Sequence, residues 1–222
     1  MSKRRVMPAG LLMCLLAAAP ASAQAVAMEG VLDAPKARLS SERASGDVGR
    51  LLHWVSESGD NRRLPFAIVD KVDARVFVFD ANGVLLGATP ALLGVARGDV
   101  APAGIGDRKL SSIRPDERVT PAGRFVASLG SNLAAKEVLW VDYASAVSLH
   151  RVVTNNPREN RLQRLATESA LDNRISYGCI NVPAAFFDDV VKPSFSGTDG
   201  IVYVLPETGP LDMVFAMDPI PK

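Results

Sequence analysis

Residues Arg75-Val76-Phe77-Val78-Phe79-Asp80-Ala81-Asn82-Gly83-Val84-Leu85-Leu86 decide the fold class. β-Branched and aromatic side chains crowd 75–79, turn-forming residues fill 80–83, and an apolar run returns at 84–86. That pattern is a β-hairpin. Outward from it, Phe66-Ala67-Ile68-Val69-Asp70 is a short apolar run upstream, and strand candidates follow at 124–129, 137–142, 146–153 and 201–205. Residues 94–123 are rich in glycine, proline and charge. They read as a long surface loop closed by the turn Thr120-Pro121-Ala122-Gly123, with Asp99, Asp107 and Asp116 expected to face water.

Helical spacing is confined to short stretches. Val48, Leu51, Leu52 and Val55 predict an amphipathic helix over 47–58, which carries His53. Residues 157–170 begin with Pro157, suited to a first turn, and carry a thin stripe of Leu162 and Leu165 among Arg158, Arg161 and Arg164. Residues 183–191 read as a helix started by proline, and Phe186, Phe187 and Trp140 are expected in the core. The tail over 209–222, with Pro219 and Pro221, is expected to be loosely held. The sum is a mainly β domain of sandwich or barrel type with a few short helices.

The first 23 residues read as a secretory signal: a basic start at Lys3, Arg4 and Arg5, an apolar stretch over 11–19, and Ala21-Ser22-Ala23 as the cleavage site. The apolar stretch is too short for a bilayer span, and no later run is long enough for one. Removing the leader takes three positive charges with it, so the formal net charge goes from +1 to −2. No basic patch points to nucleic acid. The expected location is the periplasm, or the exterior after export. The remaining chain divides into an arm over 24–63 with its short helix, a catalytic domain over 64–206, and the tail over 207–222.

Cys14 leaves with the leader, so the mature chain keeps one cysteine, in Ser176-Tyr177-Gly178-Cys179-Ile180-Asn181. An exported protein normally pairs its cysteines or lacks them. Gly178 allows a turn closed to other residues and a close approach of backbone to substrate. His150 lies upstream at the end of an apolar run. An imidazole that takes the thiol proton leaves a thiolate nucleophile and can then protonate a leaving amine. Backbone N–H groups in the Tyr177-Gly178-Cys179 turn would receive the oxyanion, each lowering the barrier by about 3 kcal/mol. Ser176 and Asn181 suit fixing the loop by hydrogen bonds to backbone, or Asn181 orients His150. Tyr177 either packs or aims its hydroxyl at the substrate. Arg174, nearest the motif, is the candidate for holding a substrate carboxylate by a bidentate pair. No cofactor is called for: one cysteine and two distant histidines do not make a zinc spacing.

At these residues the chain resembles the L,D-transpeptidase catalytic (YkuD-type) family. Thr120-Pro121-Ala122-Gly123-Arg124-Phe125, the hairpin over 74–94 and the strand over 200–205 add to the likeness, which covers about residues 64–206. Tyr177 stands where the family motif has histidine, and the gap from His150 to Cys179 is longer than usual, which points to a lid or substrate wall. The resemblance implies a mostly β fold, an acyl-enzyme on Cys179, His150 as base with its other nitrogen held by the carbonyl of Arg151, and Cys179, His150, Ser176 and Gly178 as the catalytic set. Tyr177, Asn181 and Arg174 would contact substrate. It also implies peptidoglycan stem peptides as donors, cut after diaminopimelate, and acylation by carbapenems. Hydrolysis by the same site, as a carboxypeptidase or endopeptidase, and a non-catalytic wall-binding protein are the alternatives.

Overall fold

In a computed structural model the described residues are 42–134 and 136–217. The expected leader and the arm up to residue 41 lie outside them, as do residues 218–222. Ten strands form among the described residues: β1 Phe66–Asp70, β2 Arg75–Phe79, β3 Leu85–Pro90, β4 Leu93–Gly94, β5 Gly123–Ser131, β6 Glu137–Asp142, β7 Val147–Arg151, β8 Arg174–Ser176, β9 Ile180–Val182 and β10 Gly200–Val204. Eight of them make one sheet in the order β3-β2-β1-β10-β5-β6-β7-β9, and β4 pairs with β8. The hairpin read from 75–86 is β2–β3, with Asp80 accepting from the N–H groups of Asn82 and Val84 at 2.9 and 2.8 Å.

Strand β1 is buried along its whole length because both faces of the sheet are covered there. On one face Ala67, Val69, Val76, Val78 and Val202 meet Leu139, Leu149, Ile180 and Val182 from the far strands, with Phe187, Val191 and Phe195 above them. On the other face Phe66, Ile68, Phe77, Phe79 and Tyr203 are covered by Val48, Leu51 and Val55. A sheet whose two ends share one core must curl. Its end strands are also stitched together: just after β3, Leu92 exchanges both backbone hydrogen bonds with Asn181 of β9, at 2.8 and 2.9 Å. The result is a nearly closed, mainly β body with few short helices.

Helix α1 spans Gly46–Ser58, capped by the Ser45 hydroxyl and ended by Gly59 in the left-handed region. The expected helix over 157–170 is broken. A 3-10 turn, Pro157–Glu159, is followed by Asn160 at φ 48°, and only then by α2, Arg161–Ala166. From Pro183 the chain runs through α3, Ala184–Phe186, a widened π turn, Phe187–Val191, and α4, Lys192–Phe195. The wide turn comes just before Pro193, whose ring would clash with the carbonyl of Asp189 in a regular helix. Trp140 is half-buried, stacked on Tyr143 with ring centroids 5.2 Å apart. The tail is not loose over 211–215: α5, Leu211–Phe215, buries Leu211 and Phe215 against the same apolar face as α1.

Asp99, expected in water, is a knot instead. It pairs with the fully buried Lys71 ammonium at 2.8 Å and accepts from the backbone N–H of Glu207, Thr208 and Gly209. The Lys71 ammonium also donates to Gly98 O at 2.5 Å and Thr120 O at 3.0 Å. Burial pushes the Asp99 carboxyl up, but the bonds from Lys71, Thr208 and Glu207 hold it well below the usual carboxylate range. Such a group stabilises the fold above its unfolded pKa of 3.8, and that contribution is lost as pH falls through the folded value. Urea titrations should therefore show wild-type stability declining below about pH 4, whereas Asp99→Asn should be weaker by roughly 2–3 kcal/mol at pH 7 and flatter in acid.

Candidate active site

The site is assembled by the pairing of β7 with β9. Leu149 lies beside Ile180 and His150 beside Asn181 in parallel register. One residue back, Cys179 falls beside Ser148. Ser148 and His150 are two apart on one strand, so both side chains leave the same face. Their positions bring both to the sulfur. The Ser148 hydroxyl is 3.7 Å from Cys179 Sγ, and His150 is close enough for its ring and charge to draw the thiol pKa down. The other ring nitrogen, Nδ1, is 2.7 Å from the carbonyl of Arg151, which turns Nε2 toward the sulfur. Ala146 O lies 3.7 Å from Sγ and can accept from the neutral thiol.

The turn carrying Cys179 is held by three side chains. Ser176 Oγ donates to Cys179 O at 2.6 Å and accepts from Gly178 N–H at 3.1 Å. Asn181 Nδ2 donates to Cys179 O at 3.2 Å. The Thr120 hydroxyl, fully buried, donates to Gly178 O at 2.8 Å and accepts from Gly94 N–H at 2.9 Å. Gly178 has φ +126°, and a Cβ there would meet Val119 O at 2.7 Å, so only glycine fits.

Burial pushes the Cys179 thiol up, but the hydrogen bond and positive charge of His150, with hydrogen bonds from Ser148, leave it below the ordinary thiol value. Burial pushes His150 down, and the Cys179 hydrogen bond and charge outweigh it, so the imidazole sits above its usual value. Both shifts run in the direction that favours passing the thiol proton to the ring. Cys179 is half-buried, and His150 lines a cleft of about 730 Å³ with Val138, Thr154 and Ala184.

Several expected roles change. Gly178 N–H does not face a substrate, because Ser176 takes it. Tyr177 N–H and Cys179 N–H have no acceptor among the described residues and are the turn's donors left for an oxyanion. Arg174 is not free to hold a substrate carboxylate: it forms an ion pair with Glu207 at 2.5 Å, both side chains being at most 10% exposed. Asn181 does not reach the His150 ring; its Oδ1 accepts from Arg161 Nη1 at 2.9 Å. That bond ties the long segment between His150 and Cys179 to the site, with Arg161 also paired to Glu159 at 2.5 Å. Tyr177 is 37% exposed beneath the Arg118 guanidinium. Ser148 was missed in the sequence although the period of two from His150 marks its face. Thr120 and Arg118 carry no comparable signal.

No protein-family model matches the chain, and no curated protein matches it in sequence. Its structural neighbours are L,D-transpeptidase catalytic domains. It is similar to the catalytic domain of the E. faecium L,D-transpeptidase, with 17% identity and a TM-score of 0.36 over 63% of this chain and 95% of that one. It is also similar to an LD transpeptidase in complex with imipenem, at 18% identity and a TM-score of 0.36 over 64% of this chain and 58% of that one. The helical cell shape determining protein Pgp2 from Campylobacter jejuni is similar at 14% identity and a TM-score of 0.44, over 71% of this chain and 55% of that one. The chain thus spans a little over half the length of the last two.

Two outcomes follow from the site geometry. Thr120→Val removes both bonds of a buried hydroxyl and should cost about 1–3 kcal/mol in urea unfolding. The pH profile of Cys179 alkylation by iodoacetamide should have its midpoint below that of a model thiol, and His150→Ala should move it upward; an unmoved midpoint would separate the ring from the sulfur.

Proposed function

We propose that this chain is an exported cysteine L,D-transpeptidase acting on peptidoglycan stem peptides. The reading rests on one observation: a half-buried cysteine beside a histidine on the neighbouring strand, whose Nδ1 is already held by a backbone carbonyl. In this mechanism His150 Nε2 takes the thiol proton. The thiolate adds to the donor carbonyl, and the oxyanion is received by Cys179 N–H. As the tetrahedral intermediate collapses, the imidazolium gives its proton to the leaving amine and the thioester remains on Cys179. A second amine then attacks the thioester, His150 takes its proton, and the thiol is returned with the new amide released. Ser176, Thr120 and Gly178 act by fixing the turn rather than by touching the reacting atoms. The leader read over residues 1–23 supports a periplasmic or extracellular setting, where this substrate lies.

Carbapenems, as strained acyl donors, are expected to form the same thioester. Incubating the purified protein with muropeptides should give crosslinked dimers whose masses match loss of a terminal D-amino acid. Cys179→Ala should abolish them. Shortened monomers in place of dimers would assign hydrolysis to the same site, and no Cys179-dependent product would overturn the reading.

A further inference from the structure

Three guanidiniums around the Cys179 turn are neutralised: Arg174 by Glu207, Arg161 by Glu159 and Arg151 by Asp188. Arg118 is not. Among the described residues it has no carboxylate partner. It is nevertheless held in place. Its Nε and Nη2 both donate to Ile113 O, at 3.2 and 3.0 Å, and its Cζ lies 3.8 Å from the centroid of the Tyr177 ring. Those bonds occupy one edge of the guanidinium. Nη1 and the second N–H of Nη2 remain, and they are the pair that forms an end-on fork for a carboxylate.

Its nearness to the site follows from the turn. A Cβ on Gly178 would touch Val119 O at 2.7 Å, so the residue next to Arg118 packs directly against the turn that carries Cys179. The Tyr177 ring under the guanidinium lies two residues before Cys179. The acyl-donor residue is the one bonded to Cys179 in the thioester, so it is the substrate residue that lies against this turn.

We propose that Arg118, fixed by Ile113 O and by stacking on Tyr177, is a specificity-determining residue that holds a side-chain carboxylate of the acyl-donor residue. This assignment rests on the acyl-transfer reading of Cys179. It gives Tyr177 a role of its own: the ring is the plate that orients the cation.

The test compares wild type, Arg118→Gln and Arg118→Lys on two tetrapeptide donors that differ only in whether the acyl residue carries a free side-chain carboxylate or its carboxamide. Wild type should favour the free carboxylate, and Arg118→Gln should raise KM for that donor about 10- to 100-fold while leaving the amidated donor little changed. Equal losses on both donors, or undiminished discrimination, would overturn the assignment. A second readout is independent of acyl transfer: the ratio of Cys179 alkylation rates with iodoacetate and iodoacetamide, in both of which the sulfur displaces iodide. Arg118→Gln should lower that ratio by about three- to tenfold, and an unchanged ratio would again overturn it. A lowered ratio in a protein that turns over neither donor would support the anion site and count against the acyl-transfer reading instead. If Arg118→Gln fails to fold, Arg118→Lys decides: the charge keeps the alkylation ratio, but loss of the fork must reduce discrimination between the donors, and wild-type discrimination would overturn the proposal.

Discussion

One buried hydroxyl connects the parts of this molecule that sequence keeps far apart. Thr120 Oγ1 donates to Gly178 O and accepts from Gly94 N–H, so three chain segments meet at one oxygen. The same residue's carbonyl takes a bond from the Lys71 ammonium. The positive φ at Gly178 and the approach of Val119 O leave the turn no slack. The sulfur's position beside Ser148 and His150 is thus fixed from beneath, by groups that never meet a substrate. A thiolate needs this rigidity: its ionisation depends on a ring nitrogen and an N–H held at one place, and burial opposes the charge wherever those partners are absent.

Behind the turn, Lys71, Asp99, Arg174 and Glu207 form an alternating set of two cations and two anions. Buried charges of this kind are expensive to desolvate and are tolerated only when each is paired and hydrogen-bonded. Here every member also binds main chain. Asp99 gathers three N–H groups of 207–209, Glu207 accepts from Gly98 N–H, Arg174 donates to Lys71 O, and Lys71 donates to Gly98 O and Thr120 O. The network therefore does the work of a sheet in a region of irregular backbone, where 3-10 turns replace strands between residues 105 and 117.

Features that depend on residue type and local period were legible in the sequence. The hairpin over 75–86, the strand at 201–205 and the α1 face all follow from spacing, and Cys179 and His150 follow from scarcity and chemistry. Features that depend on distant partners were not. Arg174 looked available because Glu207, 33 residues on, leaves no local trace. Asp99 looked solvated because it lies in a Gly-, Pro- and charge-rich loop, and Lys71 and residues 207–209, which it binds, are distant in sequence. The Gly178 N–H was read as a substrate donor because nothing in a tripeptide tells which way its amide turns. The break at Asn160 was hidden for a similar reason: helical spacing of two leucines says nothing of a left-handed residue between two turns.

The position of Glu207 bears on where this domain ends. A fragment stopped at residue 206, where the strand pattern runs out, would keep all ten strands yet strip Arg174 and Lys71 of a shared counter-ion and take from Asp99 the three amides it caps. Arg174 would then be stranded without a carboxylate in the segment that leads into Cys179, and Lys71 would be left with Asp99 alone. A boundary drawn from β-strands alone would thus cut through the charge-balanced floor of the catalytic turn.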